Sequence, residues 1–259
     1  MNETDLKQAF VDLKIPEFRY FKETDSTNTQ ALNWISQGAP EYSLVIAKAQ
    51  NAGRGRSGRK WVTTPGSSIA VSIILHPTIQ EQKKLGLFSL LGGFSVLKVL
   101  EDNYRIKAQV KWPNDILIDY KKTAGILAES LWQGGNLQGL VLGIGINLML
   151  PSIPSSDLLM FPATCIEAHT KDHINPADLL AALIKALIRI RKSILSPTFI
   201  PLYESSMAYK NQLITLDAGG GKVYSGHLRG VDNQGKIIIQ TADGTEQVFP
   251  IGDVKLRPQ

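Results

Sequence analysis

Hydrophobic residues recur through the chain to about residue 206 in a mixture of helical and strand-like spacings. A helical period or cap marks 5–13, 31–35, 81–101 and 177–194. Short apolar runs typical of strands occupy 18–22, 43–49, 67–75, 109–112, 115–119, 123–132 and 137–148. Pro176 opens the last helix, at a position where its missing N–H costs nothing. This alternation predicts a mixed α/β domain.

The pattern changes after Met207, where only strand-like runs remain. They cover 213–216, 222–231, 236–241 and 245–249, and turn-forming residues such as Gly-Gly-Gly and Ala-Asp-Gly separate them. Such spacing is typical of a small antiparallel barrel. We therefore predict an α/β (α+β) domain over 1–206 and a small β domain over 207–259.

Composition narrows the class of protein. The 259 residues are 43% hydrophobic, which is enough for a sizeable core, and no apolar run approaches the ~20 residues that cross a bilayer. The single cysteine, Cys165, excludes an internal disulfide framework and any metal site built from several cysteines. No signal peptide is evident, so we expect a cytoplasmic protein. We expect Cys165 to be a core or surface thiol rather than a nucleophile.

The positive charge is confined to one segment. The formal net charge is +5, and residues 42–80 contain five Lys and Arg but no Asp or Glu, so the remainder of the chain is neutral. Such a concentrated charge favours one local anion-binding site over an extended nucleic-acid surface.

A glycine–arginine loop carries most of this charge. It reads Gly53-Arg54-Gly55-Arg56-Ser57-Gly58-Arg59-Lys60-Trp61. Glycines let the backbone approach a ligand, and guanidinium forks suit phosphate or carboxylate groups. The loop lacks the Gly-Lys-Ser/Thr ending of a Walker A motif. We interpret it as an anion clamp, the alternative being a solvated basic loop that binds nucleic acid.

A rigid polar corner separates two predicted strands at Lys111-Trp112-Pro113-Asn114-Asp115. Asn114 and Asp115 could hold ribose hydroxyls or a hydrated Mg²⁺. The alternative is a turn that only joins the strands.

Two strands carry residues that could serve a ligand. Lys122 enters an apolar strand, where its ammonium could meet a buried anion, and Gly125 would leave space beside it. Gly143 and Gly145 alternate in Gly-Ile-Gly-Ile-Asn147, so both lie on one face of the sheet and could form a slot. The alternative for the first strand is an edge lysine with a β-bulge glycine, and the alternative for the second is a bulge at its glycines.

Together, in this order, these segments resemble the biotin–protein ligase family. The motifs are Asp-Ser-Thr-Asn at 25–28, Gln50 with Gly-Arg-Gly-Arg-x-Gly-Arg-x-Trp, Lys-Trp-Pro-Asn-Asp, Lys-x-Ala-Gly-Ile-Leu and Gly-x-Gly-x-Asn, and the resemblance extends from 18 to 256. It implies a mixed-sheet, class II synthetase-like catalytic domain followed by an SH3-like β-barrel.

The resemblance also implies an activity and its residues. The family makes biotinyl-5′-AMP from biotin and ATP with Mg²⁺, and transfers biotin to a lysine of a carrier domain. Catalytic roles fall to Lys122, Arg54 and Arg56. Biotin binding is implied for Ser26, Thr27, Asn28, Gln50, Gly53, Arg54, Gly55, Arg56, Lys122, Gly125, Leu127, Gly143 and Gly145. Adenylate binding is implied for Arg56, Arg59, Trp61, Lys111, Asn114, Asp115, Lys122, Asn147 and Arg229, with Asp115 as the Mg²⁺ ligand and Phe161 or Leu158 covering the adenine.

The expected partner is the biotin carboxyl carrier domain of a carboxylase, with no membrane. Only 24 residues precede Asp25, too few for a helix-turn-helix, so we expect no DNA binding, and either a monomer or a homodimer. Two alternatives stay open. One is a lipoate ligase or octanoyltransferase, which shares the catalytic fold, and the other is a basic nucleic-acid-binding protein.

Overall fold

The computed structural model describes residues 1–155, 159, 161–250 and 252–255. Its helices are α1 (Glu3–Ala9), α2 (Thr27–Ile35), α3 (Ile79–Gln82), α4 (Leu87–Tyr104), α5 (Pro176–Arg191) and α6 (Phe199–Ser205). Its strands are β1 (Phe18–Phe21), β2 (Leu44–Ala47), β3 (Ser68–Leu75), β4 (Gln109–Lys111), β5 (Asp115–Ile118), β6 (Lys121–Gln133), β7 (Asn136–Asn147), β8 (Leu213–Asp217), β9 (Val223–Val231), β10 (Ile237–Gln240), β11 (Glu246–Phe249) and β12 (Asp253–Lys255).

A seven-stranded sheet forms the larger part of the molecule, in the order β1-β2-β3-β7-β6-β5-β4. Only the β1–β2 pair is parallel, and the other pairs are antiparallel. The long hairpin of β6 and β7 turns at Gly134 and Gly135, both with positive φ, as a two-residue hairpin turn requires. The predicted mixed α/β fold is confirmed.

One face of this sheet carries the main hydrophobic core. The alternate side chains of β3 and β7, such as Val71 and Leu142, point toward α4, and α5 packs on α4. A Cβ at Gly92 of α4 would lie 3.1 Å from the Leu142 side chain, so this glycine lets the helix approach the sheet closely. The face is fully apolar because it is covered along its length.

The other face is only partly covered by a helix. Trp34 and Ile35 of α2 pack against Val45, Ile74 and Val141 in a small second cluster. Beyond this cluster the side chains on the same face become small or polar, because the strands continue with Ala70, Ser72, Gly143 and Gly145. This strip of small residues is where a cavity opens.

The second sheet is five-stranded and antiparallel, in the order β11-β10-β9-β8-β12, as predicted for the C-terminal part. It contacts the first part of the chain directly. Trp112 Nε1 donates to the carbonyl of Gly235 at 2.9 Å, and Glu204 accepts from Val231 N at 2.8 Å. A boundary between 206 and 207 stays a prediction.

The secondary structure differs from expectation at three places. The helix predicted over 81–101 is divided into α3 and α4, because a Thr78–Glu81 capping box starts a short helix that ends at Gln82, with Lys83 as its C-cap. The helix α6 and the strand β12 were not expected. β12 has three residues and is recognisable only through its pairing with β8.

A buried ion cluster joins the end of α5 to α3 and to the segment before β2. Arg191 donates from Nε and Nη2 to the two oxygens of Glu81 at 3.0 and 3.1 Å, and from Nη1 to Glu41 at 2.6 Å. Burial alone would lower the pKa of Arg191, but the carboxylates outweigh it and raise that pKa. In turn, Arg191 holds the pKa of Glu81 below its usual value despite burial.

Candidate active site

A cavity opens on the small-residue strip of the large sheet, between the start of α2, the glycine–arginine loop and β6. Its lining brings together most of the residues predicted for the site: Ser26, Thr27, Asn28, Gln50, Arg54, Gly55, Arg56, Arg59, Trp61, Asn114, Asp115, Lys122, Gly125, Leu127, Gly143 and Gly145. Lys60, Ala70, Ile126 and Ile144 also line it. Segments up to 119 positions apart thus meet at one place.

Part of the cavity lining consists of polar groups at the first turn of α2. Ser26 is the N-cap residue, and Gln50 Oε1 accepts from Thr27 N at 2.8 Å, so a side chain from outside the helix satisfies one of its free N–H groups. Gln50 Nε2 donates to Thr63 Oγ1 at 3.1 Å. This arrangement fixes the orientation of the Gln50 amide.

Asn28 occupies the space that Gly143 leaves free. A Cβ at Gly143 would lie 2.1 Å from Asn28 Oδ1. Asn28 Nδ2 donates to the Leu127 carbonyl at 3.2 Å and to Glu129 at 2.7 Å, and Oδ1 lies 2.5 Å from Ser72 Oγ. This glycine therefore accommodates a neighbouring side chain of the site.

The glycine–arginine loop folds back on itself as a tight hairpin. Trp61 N donates to Gly53 O at 2.9 Å, and Gly55 N donates to Arg59 O at 2.7 Å. A Cβ at Gly53 would lie 2.3 Å from Trp61 O, so the close approach of the two limbs requires glycine. Gly53 itself lies behind the cavity lining rather than within it.

The three arginines of the loop all meet carboxylates. Arg54 pairs with Glu129 of β6 at 2.8 Å. Arg59 donates to both oxygens of Asp253 in β12, at 2.9 and 2.8 Å, and Arg56 lies 3.4 Å from Asp253 and from Asn114 Oδ1. Burial lowers the pKa of Arg56, although Asp253 opposes that shift.

Trp61 lies across the glycines of β6 and β7. A Cβ at Gly145 would lie 2.3 Å from Cε2 of Trp61, and one at Gly125 would lie 3.2 Å from its ring. The indole Nε1 is buried, and no hydrogen-bond partner for it exists among the described residues. The predicted slot thus exists, and in this structure an indole ring lies in it.

Lys122 reaches the cavity because β6 is irregular at that point. The pairing with β5 skips one residue between Ala124 and Lys122, a β-bulge that re-aims the side chain. Lys122 Nζ lies 2.5 Å from Asp115 Oδ1, and a Cβ at Gly125 would lie 3.2 Å from Nζ. The bulge thus places a cation over the glycine strip.

Besides Gly53, three predicted residues lie outside the lining. Lys111 is stacked on Phe161 at 3.9 Å, and burial lowers its pKa. Asn147 donates to the Thr164 carbonyl at 3.1 Å. Arg229 donates to Gln240 and Asn211 on the second sheet. Their side chains are engaged with protein groups here, and Leu158 lies outside the described residues.

Four site residues were not found from the sequence. Ser72 and Thr63 fix the orientation of neighbouring side chains, whereas Glu129 and Asp253 neutralise arginines. Ser72 is a polar residue in an apolar strand, and Glu129 follows Gly125 and Leu127 on the same face of β6, so both carried a weak signal. Asp253 carried none, because its partner loop lies almost 200 residues away.

Residues that could support other chemistry are few. In the described ranges, no three Asp, Glu, His or Cys side chains lie close enough to hold a metal ion. Cys165 is buried, and burial raises the pKa of its thiol, as expected for a cysteine that is not a nucleophile. No helix in the described part of the chain has the length and apolarity needed to span a bilayer.

Comparison with known proteins agrees with this geometry. The model of the Biotin/lipoate A/B protein ligase family matches residues 20–147, and that of the Biotin protein ligase C terminal domain matches 211–257. A bifunctional ligase/repressor BirA from Bacillus spizizenii is 32% identical over 89% of this chain and 71% of its own length. The chain belongs to the biotin protein ligase family.

Other members resemble the chain over nearly its whole length. The biotin–[acetyl-CoA-carboxylase] ligase of Paracoccus denitrificans is 30% identical over 89% of this chain and 97% of its own. Among solved structures, a biotin protein ligase from Aquifex aeolicus in complex with biotin and ATP superposes with a TM-score of 0.79 at 29% identity, covering 94% of this chain and 100% of that one. The resemblance to biotin–protein ligases is therefore confirmed in fold as well as sequence.

Proposed function

We propose that this member of the biotin protein ligase family activates biotin with ATP in the cavity and transfers it to a carrier lysine. The observation that carries the proposal is the composition of the cavity. Hydrogen-bonding groups of Ser26, Thr27 and Gln50 line it together with the cations Arg56, Arg59 and Lys122. A small polar head group and an anionic tail match these two sets of groups.

The reaction explains why cations are needed. The biotin carboxylate attacks the α-phosphorus of ATP, diphosphate leaves, and a mixed anhydride forms. The amine of the carrier lysine then attacks its acyl carbon, AMP leaves, and a proton is lost. The first step brings two anions together, so Lys122 and Arg56 lower its barrier by stabilising the charge that develops.

Magnesium enters with the nucleotide in this proposal. Mg²⁺ is commonly held by one or two carboxylates together with substrate phosphates, so a site with a single suitable carboxylate fits this ion. Asp115 is that carboxylate, since it lines the cavity beside Lys122. When bound, the ion neutralises phosphate charge.

The acceptor follows from the relatives. Several similar proteins are named biotin–[acetyl-CoA-carboxylase] ligases. We infer that the substrate protein here is the carrier domain of a biotin-dependent carboxylase. A lipoate or octanoate substrate is the alternative, because the family model for the catalytic part covers lipoate enzymes as well.

One assay separates these possibilities. The protein is incubated with a carboxylase carrier domain, MgATP and biotin, lipoate or octanoate, and the carrier mass is measured. We expect the mass increment of biotin alone. Modification by lipoate or octanoate in place of biotin would refute the proposal.

Lys122→Ala tests the role of the lysine in adenylation. We expect biotin-dependent exchange between diphosphate and ATP to fall roughly 100- to 1,000-fold, the usual loss when a charge-stabilising group is removed. Lys121→Ala is the matched control, since Lys121 is the adjacent, exposed lysine of β6. Near-normal exchange in Lys122→Ala would show that the ammonium does not stabilise the reaction.

A further inference from the structure

Glu129 joins three separate parts of the cavity wall. Its Oε2 accepts from Asn28 Nδ2 at 2.7 Å and from Arg54 Nη2 at 2.8 Å. Asn28 belongs to α2, Arg54 to the glycine–arginine loop and Glu129 to β6. One carboxylate oxygen therefore connects a helix, a loop and a strand.

The Asn28 side of this junction is rigid. Asn28 is 3% exposed, and both protons of its Nδ2 are used, one by the Leu127 carbonyl and one by Glu129. Because a carbonyl and a carboxylate accept hydrogen bonds, these partners fix the orientation of the amide, and its Oδ1 accepts from Ser72 Oγ. Glu129 is thus held from inside the protein, and it presents a fixed negative charge to Arg54.

Arg54 differs from the other two arginines of its loop. Arg56 and Arg59 are directed to Asn114 and Asp253, next to the carboxylate of Asp115 and the ammonium of Lys122. Arg54 is directed to β6 instead. The loop is therefore tied at its first arginine to the large sheet and at the others to the second sheet.

A carboxylate beside a cavity for anionic substrates is unfavourable unless it is neutralised. The biotin carboxylate and ATP are both negatively charged, so an unpaired Glu129 would repel them. The repulsion is stronger in a partly desolvated cavity than in bulk water. The ion pair with Arg54 removes that repulsion. The same pair closes the loop beside Asn28 of α2, the helix whose first residues we assign to the head group of biotin.

From this geometry we propose that Glu129 is a positioning residue: it holds Arg54, and this ion pair keeps the glycine–arginine loop closed against β6. The inference rests on the proposed function and deepens it. Arg54 then acts by closing the loop over biotin, whereas Arg56 and Lys122 meet the anions. This differs from the expectation that the Arg54 guanidinium itself is catalytic.

A positioning role for the ion pair between Arg54 and Glu129 predicts how paired substitutions behave. Arg54→Ala opens the loop and also leaves the negative charge of Glu129 uncompensated. It should therefore raise the biotin KM more than Glu129→Gln, which opens the loop only. The double variant Arg54→Ala with Glu129→Gln removes the uncompensated charge of Glu129. Its biotin KM should therefore lie below that of Arg54→Ala. A guanidinium that binds substrate anions directly allows no such recovery.

The experiment measures the KM for biotin, the KM for ATP and the dissociation rate of biotinyl-5′-AMP in the 259-residue chain. We expect Glu129→Gln to raise the biotin KM about tenfold, as loss of a charge-assisted hydrogen bond does, with the ATP KM changed less than about twofold. Arg54→Ala should be several times worse, and the double variant should return to the level of Glu129→Gln. Adenylate dissociation should follow the same order.

Glu101→Gln is the matched control, because it breaks an ion pair with Lys98 on α4. Circular dichroism and melting temperature show whether each variant folds. A double variant with a biotin KM as high as that of Arg54→Ala would overturn this proposal. An unchanged biotin KM in Glu129→Gln would overturn it as well. Failure of the wild-type protein to bind biotin in calorimetry would instead refute the proposed function.

Discussion

Gly143→Ala should displace Asn28 from the cavity wall. The added Cβ would lie 2.1 Å from Asn28 Oδ1 and 2.8 Å from its Cγ, distances that side chains do not tolerate. The backbone of β7 cannot move to relieve the clash, since both neighbouring strands are paired with it along its length. The side chain of Asn28 must therefore move.

The cost follows from what Asn28 would lose. Its amide has three partners in the structure, which are the Leu127 carbonyl, Glu129 and Ser72. At about 1 kcal/mol for each hydrogen bond, displacement should lower the free energy of unfolding by about 3 kcal/mol. The biotin KM should rise as well, because Glu129 loses a partner that holds it.

Urea unfolding in a double-mutant cycle with Asn28→Ala measures this coupling. Alanine at 28 removes the atoms with which the new Cβ collides, so Gly143→Ala should cost less than about 1 kcal/mol in that background. A cost that is equal in both backgrounds would refute the reasoning. The penalty would then arise from the backbone of β7 and not from the amide of Asn28.

Two further substitutions test other parts of the structure. Arg191→Met should lower the unfolding free energy by about 3–5 kcal/mol at pH 7, because it leaves Glu81 buried without its cation. Since Arg191 lowers the pKa of Glu81, this stabilisation is complete above the usual glutamate pKa and is lost as the pH falls through the lowered value, so urea titrations should show a smaller difference at about pH 3. Gly145→Ala would place a Cβ 2.3 Å from Trp61 Cε2, so tryptophan emission should shift to the red and biotin affinity should fall, whereas unchanged emission would show that the indole does not lie on this glycine.

Much of the architecture was predictable from the chain itself. The strand-like and helical spacings of apolar residues located β1 to β7 and α5 within a few residues. They do so because local periodicity reflects which face of an element is buried. The order of short motifs was enough to identify the family and most of the cavity lining. The concentration of charge in 42–80 also indicated a local site, and the loop that carries four of those five charges does line the cavity.

The partners of those charges were decided only by the tertiary structure. The sequence presents Arg54, Arg56 and Arg59 as three equivalent cations, yet folding pairs the first with Glu129 and the other two with Asp253. Likewise, the glycines at 143 and 145 predicted an empty slot, and Asn28 and Trp61 enter it. Ion pairs and close contacts depend on which distant segments meet in space, and neither periodicity nor composition records that.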